Sequence, residues 1–184
     1  MPALPLTTDS FRDVASRYAT GVVVATTIAD GFDHAMTATS FTTVSLDPML
    51  VLICVENDTR FHDAISGESS AGEPAEPKEW AISILPASAK ATASWFSTKG
   101  RPLHGQFDRV PHRRGKETGA VLIDGALAAM EVRTNAEYIS GDHIIVVGEV
   151  LSLECDSDPA DDFEGDPSEW PLMYWARRYR NLSS

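Results

Sequence analysis

Cysteine and basic residues are both scarce in this sequence. It has two cysteines, Cys54 and Cys155, and no group of cysteines and histidines that is spaced like zinc ligands. We therefore expect two free thiols in a reducing compartment and no metal site. Lysine and arginine number 15 against 27 acidic residues, which gives a net charge of -12. Because nucleic acids and anionic membranes bind basic surfaces, neither is expected as a partner.

Long apolar runs and several well-known site motifs are also missing. No stretch approaches the roughly 18 apolar residues that cross a bilayer, and the N-terminal segment lacks the basic start and apolar centre of a signal peptide. The expected location is therefore the cytoplasm. The glycine-rich Rossmann and P-loop motifs and the G-x-S-x-G motif of serine hydrolases do not occur, which argues against these three kinds of site.

A chain of 184 residues is expected to form a single domain with one core. Within residues 1–184 we expect an N-terminal arm at 1–8, an acidic loop at 66–79 and an acidic tail segment at 156–169. The loop at 66–79 is poor in apolar residues and rich in Pro, Gly, Ser and Glu, a composition that is typical of a solvated loop.

Strand patterns outnumber helix patterns along the chain. The strand patterns cover residues 21–28, 34–46, 49–55, 80–85, 121–124, 126–138 and 144–150, and the helix patterns cover 9–18, a short segment after Thr59, and 88–99. In the first helix Phe11, Val14, Ala15 and Tyr18 recur at helical spacing, so they are expected to face the core. Because strands and helices do not alternate as in βαβ units, the predicted fold class is mainly β, an antiparallel barrel with peripheral helices.

The least ordinary stretch is residues 34–56. Its first half is a strand pattern crowded with hydroxyl groups, and Asp47-Pro48 then marks a turn before the apolar run 49–55. Short polar side chains on a strand let a flat ligand approach the backbone closely, but an edge strand with a solvated Ser/Thr face fits the pattern equally well. The apolar run predicts a strand that is buried on both faces, so the hydroxyls would lie at the rim of a sheet or barrel.

Two segments offer positive charge to an anionic ligand. Asn57, Asp58 and Thr59 are candidate helix caps, and the free N–H groups of that helix start, together with Arg60, suit an anion. Simple capping is the other interpretation. The predicted loop at 100–119, together with Lys99 just before it, carries six basic residues, Lys99, Arg101, Arg109, Arg113, Arg114 and Lys116. These charges either bind a phosphate-bearing ligand or form a solvated loop.

His143 lies between the Gly141-Asp142 turn and an apolar strand pattern. A histidine in this position either stabilises the turn by hydrogen bonding or serves a functional site. In the same strand, Gly148 predicts a bulge or the close approach of another group.

The segments MTATSFTTVSLDPMLVLICV (36–55) and GDHIIVVGEV (141–150) resemble, in the same order, segments of the flavin reductase-like family. This resemblance implies an FMN-binding split barrel that forms a homodimer. It also implies NAD(P)H:flavin oxidoreductase activity with FMN or FAD, in which NADH or NADPH is a co-substrate and hydride passes directly to the flavin. The reduced flavin would then serve a separate flavin-dependent oxygenase.

The resemblance also implies roles for particular residues. His143 would orient the nicotinamide by hydrogen bonding. The tail resembles the family's C-terminal segment, except that Ala176-Arg177 stands where a small residue and glycine are usual. The residues implied to bind the cofactors are Met36, Thr37, Ala38, Thr39, Ser40, Ser45, Leu46, Cys54, Val55, Asn57, Thr59, Arg60, Ser97, Lys99, Arg101, Phe107, Gly141, Asp142 and Tyr179.

Two other functions fit the same kind of barrel. One is a non-enzymatic flavin- or haem-binding protein, and the other is an oxidase of the pyridoxamine-phosphate type, which would need a basic site for the substrate phosphate. The intact Gly-Asp-His segment and the hydroxyl-rich strand favour the reductase. The sequence does not distinguish FMN from FAD, nor NADH from NADPH, because several loop arginines are available for a 2′-phosphate.

Overall fold

The computed structural model of the protein describes residues 3–66, 78–155 and 166–182. Its helices are α1 (Thr8–Ala15), α2 (Arg60–Ile65) and α3 (Lys90–Phe96), and a 3-10 turn at Ala87–Ala89 precedes α3. Its strands are β1 (Thr20–Gly21), β2 (Val23–Ala29), β3 (Phe32–Ala38), β4 (Thr42–Leu46), β5 (Met49–Glu56), β6 (Glu79–Ile84), β7 (His112–Arg114), β8 (Val121–Ile123), β9 (Ala128–Ser140), β10 (His143–Cys155), β11 (Met173–Trp175) and β12 (Arg178–Arg180).

Seven strands form one antiparallel sheet in the order β3-β2-β6-β9-β10-β5-β4. Two small antiparallel sheets, β1-β11-β12 and β7-β8, pack beside it. The predicted fold class, mainly β and antiparallel with peripheral helices, is confirmed. In the part of the chain that the structure describes, no helix is long and apolar enough to cross a membrane.

The large sheet has to curl, because its two edge strands are neighbours in sequence. β3 ends at Ala38 and β4 begins at Thr42 on the opposite edge. Four Cα steps span about 14 Å at most, so the two edges lie close together. Ser40 bridges the gap, since its Oγ accepts from Cys54 N at 3.0 Å and donates to Cys54 O at 3.2 Å. We call this gap between β3 and β4 the seam.

Apolar side chains cover β2 on both of its faces. Val23 and Ala25 face the interior of the curled sheet, whereas Val22 and Val24 face an outer layer under α3. The interior cluster includes Ile53, Trp80, Ile82, Val132 and Val146, and the outer cluster includes Leu85, Ala93, Phe96, Val121 and Leu172. Removing these side chains from water is the main stabilising contribution to the fold. The same packing holds the edge strand β3 in place, because Ala38 belongs to the interior cluster and Ala35 belongs to the outer cluster.

Gly148 marks the bulge that the sequence predicts. The pairing of β10 with β9 shifts register between Val147 and Gly148. A Cβ at position 148 would lie 2.2 Å from Val132 Cγ1 and 2.6 Å from Trp80 Cζ2. Atoms do not pack this closely, so glycine is what allows β10 to pass over Trp80. Both predicted features, the bulge and the close approach, are confirmed.

Helix α1 differs from its prediction in what it buries. It begins after the N-cap residue Thr7 and ends at Ala15, before the predicted end near Tyr18. Phe11, Val14 and Tyr18 are 69%, 60% and 79% exposed, and Ala15 is exposed as well. The prediction that these residues face the core was wrong. Helical spacing shows that one face is apolar, but it does not show what covers that face.

Strand β5 is not buried on both faces, as its apolar run had predicted. Val51, Ile53 and Val55 are buried, whereas Leu52 and Cys54 alternate with them and are half-buried. The prediction was wrong because a continuous apolar run does not reveal how far each face is covered. β5 lies next to the edge strand β4, so its second face has fewer neighbours.

Other boundaries shift by a few residues. The predicted helix at 88–99 is the 3-10 turn followed by the shorter α3, and the predicted loop at 100–119 contains β7. Asp124 and Gly125 form a turn after β8, and the adjacent predicted strands do not pair with each other, because β8 pairs with β7. Cys54 and Cys155 do not form a disulfide with each other. Most of the acidic segments at 66–79 and 156–169 lies outside the described residues.

Candidate active site

A cleft of about 480 Å³ opens along the seam. Its walls come from β3, the end of β5, the start of α2, the end of α3 with the loop that follows, and the start of β10. Pockets for small organic ligands usually measure about 300–1,000 Å³. The volume of this seam cleft therefore suits an organic cofactor.

Twelve of the predicted site residues line the seam cleft. They come from five separate segments of the chain, which the fold brings to one place. These residues are Met36, Thr37, Ala38, Thr39, Ser40, Cys54, Thr59, Arg60, Ser97, Lys99, Arg101 and His143. Their shared location supports the predicted site, and the role of each one toward a cofactor stays a prediction.

The other eight predicted residues do not line the seam cleft. They are Ser45, Leu46, Val55, Asn57, Phe107, Gly141, Asp142 and Tyr179. Val55 and Phe107 are buried in the cores. Leu46 is 89% exposed at the turn between β4 and β5, where Ser45 Oγ accepts from the backbone of the same turn. Tyr179 packs its ring against Tyr174, with centroids 5.5 Å apart.

The seam cleft also contains residues that the sequence analysis missed. They are His34, Ala35, Glu56, Asp58, Phe61, Phe96, Thr98, Gly100, Leu103 and Gln106. His34 could have been predicted from strand alternation, because alternation places His34 on the same face of β3 as Met36. Burial, and then the charge of Arg60, lowers the pKa of His34 below its ordinary value, so the ring is neutral near pH 7. Leu103 and Gln106 lie in an irregular loop, where no periodic signal exists.

The hydroxyl-rich strand stabilises the fold as well as lining the cleft. Thr37 Oγ1 donates to Ala93 O at 2.7 Å and so ties β3 to α3. Ser40 bonds the backbone of Cys54 across the seam. Among the described residues, Thr39 Oγ1 has no hydrogen-bond partner. Of these three hydroxyls, Thr39 therefore offers the one that is free for a ligand.

Arg101 lies in the wall of the cleft and is 9% exposed. Its guanidinium donates to Gln106 Oε1 at 3.0 Å, to Phe96 O at 2.9 Å and to Thr98 O at 3.3 Å. It also donates to Ala35 O on β3. These four acceptors are neutral and belong to β3, α3 and the loop after α3. Arg101 therefore joins three walls of the cleft, and none of these four contacts neutralises its charge.

Two guanidinium groups concentrate positive charge at the cleft. Arg60 lines the cleft and donates to Arg101 O. Burial, and then the charge of Arg60, lowers the pKa of Arg101 to about 10, so the Arg101 guanidinium is charged at pH 7. In the described ranges neither guanidinium forms an ion pair with a carboxylate. An anion bound in the cleft would supply the missing counter-charge.

Three other basic residues are paired with carboxylates. Lys99 Nζ lies 2.8 and 3.0 Å from the two carboxylate oxygens of Glu56, at the rim of the cleft. Arg113 and Arg114 lie outside the cleft, and their partners are Asp124, Glu154 and Asp33. This pairing favours the solvated-loop interpretation over phosphate binding for Arg113 and Arg114.

His143 stands at the rim of the cleft, directly opposite Glu56 in the pairing of β10 with β5. Its Nδ1 lies 2.7 Å from Asp142 Oδ1, and this contact lowers the pKa of the Asp142 carboxyl. Because a carboxylate only accepts, Nδ1 is the donor in this contact, and Nε2 is left to face a ligand. Asn57 stabilises the turn, since its backbone N donates to Asp142 O at 3.0 Å and its Nδ2 donates to Gly141 O at 3.2 Å.

No metal centre is evident within the part of the chain that the structure describes, where no three His, Cys, Asp or Glu side chains are grouped as ligands. Cys54 is the free thiol of the seam cleft. Burial raises the pKa of this thiol, although the hydrogen bond with Ser40 acts in the opposite direction. The thiol is therefore protonated at pH 7 and is a poor nucleophile.

The curled antiparallel sheet, with the cleft at its open seam, has the split-barrel fold that solved flavin reductase structures share. Within that fold class, the chain belongs to the flavin reductase-like family, because residues 15–183 match the family described as flavin reductase like domain. The family that the sequence resembles is thus confirmed.

Individual relatives agree with this assignment. The NADH-dependent FAD reductase of Streptomyces globisporus is 39% identical over 142 residues, which cover 77% of this chain and 72% of the relative. The FMN reductase (NADH) SmoA of Agrobacterium fabrum is 36% identical over 151 residues, which cover 82% and 79%. A solved structure of BorF, the flavin reductase component of a bacterial two-component tryptophan halogenase, matches with a TM-score of 0.79 at 36% identity and covers 96% of this chain and 98% of BorF.

Proposed function

We propose that this protein is an NAD(P)H:flavin oxidoreductase that reduces FMN or FAD and supplies the reduced flavin to a separate monooxygenase. The observation that carries the proposal is the seam cleft, where predicted flavin-site residues from four segments meet beside His143. The names of two relatives, an NADH-dependent FAD reductase and an FMN reductase (NADH), support it.

The chemistry of the cleft fits a flavin. The flavin ring system is flat and apolar with a polar rim. In the cleft, Met36 and Ala38 of β3 offer apolar contact, and Thr39, the residue after β3, offers a hydroxyl for hydrogen bonding. The flavin also carries a phosphate, for which Arg60 and Arg101 provide positive charge that no carboxylate in the described ranges neutralises. When bound, the flavin supplies the redox chemistry, and the side chains of the cleft bind and orient it.

His143 is proposed to orient the nicotinamide. The Asp142 contact fixes the proton on Nδ1, so Nε2 is free to accept a hydrogen bond from the carboxamide of the cofactor. Direct hydride transfer needs no acid or base from the protein, so His143 acts by positioning the reactants close together.

Of the two nicotinamide cofactors, NADH is expected to be preferred. Recognition of NADPH requires a cation for the 2′-phosphate. Arg113 and Arg114 already pair with carboxylates, and Lys99 pairs with Glu56. The relatives named above with a stated cofactor use NADH.

The proposal extends to a partner and a location. A separate flavin-dependent oxygenase would receive reduced flavin by diffusion, and the enzyme would be a cytoplasmic homodimer. The oxygenase partner is supported by BorF, which is the reductase component of a two-component halogenase.

Steady-state oxidation of NADH and NADPH at 340 nm, with and without added FMN or FAD, tests the function. We expect turnover that depends on added flavin and is faster with NADH. Tight flavin binding without turnover for any pair of cofactors would instead establish a non-enzymatic binding protein. Haem binding, followed by absorbance near 400 nm, tests that second function directly.

The variant His143→Ala is expected to raise the KM for NADH about tenfold, because one hydrogen bond to the nicotinamide is lost. The kcat should change less, and the Kd for flavin should stay within about twofold. His143→Asn, which keeps a polar side chain, should recover part of the loss. Steady-state kinetics and flavin fluorescence titration measure both quantities. An unchanged KM in a folded variant contradicts the orienting role.

The homodimer is proposed to bury the apolar face of α1. Phe11, Val14 and Tyr18 leave this face exposed, and Leu4 and Leu6 extend it at 59% and 101% exposure. A patch of this kind favours association. We expect a solution mass of twice that of one chain by light scattering, and a shift to one chain in the double variant Phe11→Glu/Val14→Glu. A dimer that this variant leaves intact would place the interface elsewhere.

A further inference from the structure

A second groove of about 260 Å³ lies beside the seam cleft. It is lined by residues 31–33, 103–108 and His112. Leu103 and Gln106 line both the groove and the cleft, so these two residues form a shared wall. A ligand that is longer than the cleft would extend across this wall.

The shared wall is rigid and carries different chemistry on its two sides. Gln106 is 3% exposed. Its Oε1 accepts from Arg101 Nε at 3.0 Å on the side of the cleft. Its Nε2 donates to Leu103 O at 3.3 Å and to Asp33 O on the side of the groove. The guanidinium pair of Arg101 and Arg60 therefore lies where a ligand would leave the cleft for the groove.

The groove presents an aromatic corner to solvent. Phe32 is 39% exposed at the start of β3, and the ring of His104 meets it edge to face with centroids 4.9 Å apart. In the same groove, the rings of the buried Phe107 and the exposed His112 lie 5.2 Å apart. Exposed aromatic rings of this kind stack on nucleobases, which contributes about 1–3 kcal/mol per base.

Two carboxylates line the groove that holds the aromatic corner. Asp108 is exposed in the groove and offers acceptors for ribose hydroxyls. Asp33 also lines the groove, where Arg114 pairs with it. A base with an unphosphorylated ribose fits these groups, whereas a 2′-phosphate would lie beside a negative charge.

We propose that this groove binds the adenosine end of a dinucleotide whose redox-active end lies in the seam cleft and whose pyrophosphate passes Arg60 and Arg101. The inference rests on the proposed function and extends it. The order of the sites matches the order of the groups in a dinucleotide. The ring site at β3, the two arginines and the groove follow one another in space, as the redox-active ring, the pyrophosphate and the adenosine do in the ligand. FAD and NADH both carry this adenosine end, and FMN lacks it.

Isothermal titration calorimetry of the flavin-free protein with FAD, FMN and NADH tests the inference. In Phe32→Ala we expect about tenfold weaker binding of the dinucleotide that uses the groove, because the stacking platform is removed. FMN binding should change by less than twofold. Weaker binding of FAD assigns the groove to the flavin dinucleotide, and weaker binding of NADH assigns it to the nicotinamide cofactor.

Three further variants keep the test specific. Phe32→Tyr retains a ring and should bind like the unmodified protein, and Leu153→Ala removes an exposed apolar side chain far along β10 and should change nothing. His104→Ala repeats the test in an exposed loop if Phe32→Ala does not fold. Unchanged binding of both dinucleotides, or an equal loss for FMN, overturns the inference.

The binding test is separate from turnover. A protein that loses FAD affinity in Phe32→Ala but never oxidises NADH would retain the groove assignment and contradict the proposed enzyme. A protein that oxidises NADH, and that binds FAD and NADH equally well after replacement of Phe32 or His104, would support the proposed enzyme and contradict the groove assignment.

Discussion

Replacing Glu131 with glutamine is expected to lower the free energy of unfolding by about 3 kcal/mol at pH 7. Glu131 is 1% exposed near the start of β9. Its carboxylate accepts from the backbone N–H groups of Lys116, Glu117 and Thr118 at 3.0, 3.0 and 2.7 Å. The hydroxyls of Thr118 and Ser152 donate to it at 2.8 and 2.9 Å. A glutamine would turn its NH2 group toward these donors and leave a buried N–H without an acceptor.

This carboxylate ties the loop between β7 and β8 to the large sheet. Gly115, at the start of the loop, has no side chain, and a Cβ there would lie 2.2 Å from Glu131 Oε2. The following N–H groups point into the carboxylate, an arrangement that binds anions in many proteins. Losing it would remove the polar contacts that tie this loop to β9.

The effect of Glu131 should depend on pH. Burial alone would raise the pKa of Glu131, but the hydrogen bonds from Thr118, Ser152 and Glu117 together outweigh burial and lower it. The folded-state pKa is thus below the unfolded value of about 4.3. The stabilisation is therefore complete above that pH and is lost as the pH falls through the folded-state pKa.

Urea denaturation of the unmodified protein and of Glu131→Gln, at neutral pH and at about pH 3, measures both effects. The difference in unfolding free energy should shrink at the lower pH. Glu137→Gln is the matched control, because Glu137 is exposed on the same strand, and it should change the stability by less than about 0.5 kcal/mol. An equal loss in both variants, or a difference that does not vary with pH, contradicts this account.

Local signals were enough to locate most of the strands. Asp47-Pro48 and Gly141-Asp142 mark turns that the structure places between β4 and β5 and between β9 and β10. The chemistry of these turns is decided by residues next to one another, so a sequence reveals it. The partners of α1 and of the second face of β5 depend on residues far away in the chain, and those two predictions were wrong.

The candidate site was predictable in part for the same reason. The resemblance placed β3 and His143 at the cleft because those segments are continuous in sequence. It gave no indication that Thr37 bonds Ala93, that Gln106 forms a wall, or that Arg114 pairs with Asp33. The Thr37 and Arg114 contacts join residues that are 56 and 81 positions apart, and Gln106 lies in an irregular loop, so no local pattern encodes them.

Replacing Arg101 with methionine is expected to lower the free energy of unfolding by about 3 kcal/mol and to weaken flavin binding about tenfold or more. The variant leaves the acceptors Ala35 O, Phe96 O and Gln106 Oε1 without their donor in a buried wall. It also removes one of the two guanidinium charges of the cleft. Urea denaturation and fluorescence titration with FMN measure the two losses.

Arg101→Lys separates geometry from charge. A lysine keeps the positive charge, but its single ammonium cannot reach acceptors on β3, α3 and the following loop at the same time. If Arg101 acts mainly by joining these walls, Arg101→Lys should lose nearly as much stability and flavin affinity as Arg101→Met. If its charge alone matters, the lysine variant should keep most of the affinity, and the structural role would be contradicted. Arg109→Met removes an exposed arginine of the same loop and should leave both quantities unchanged.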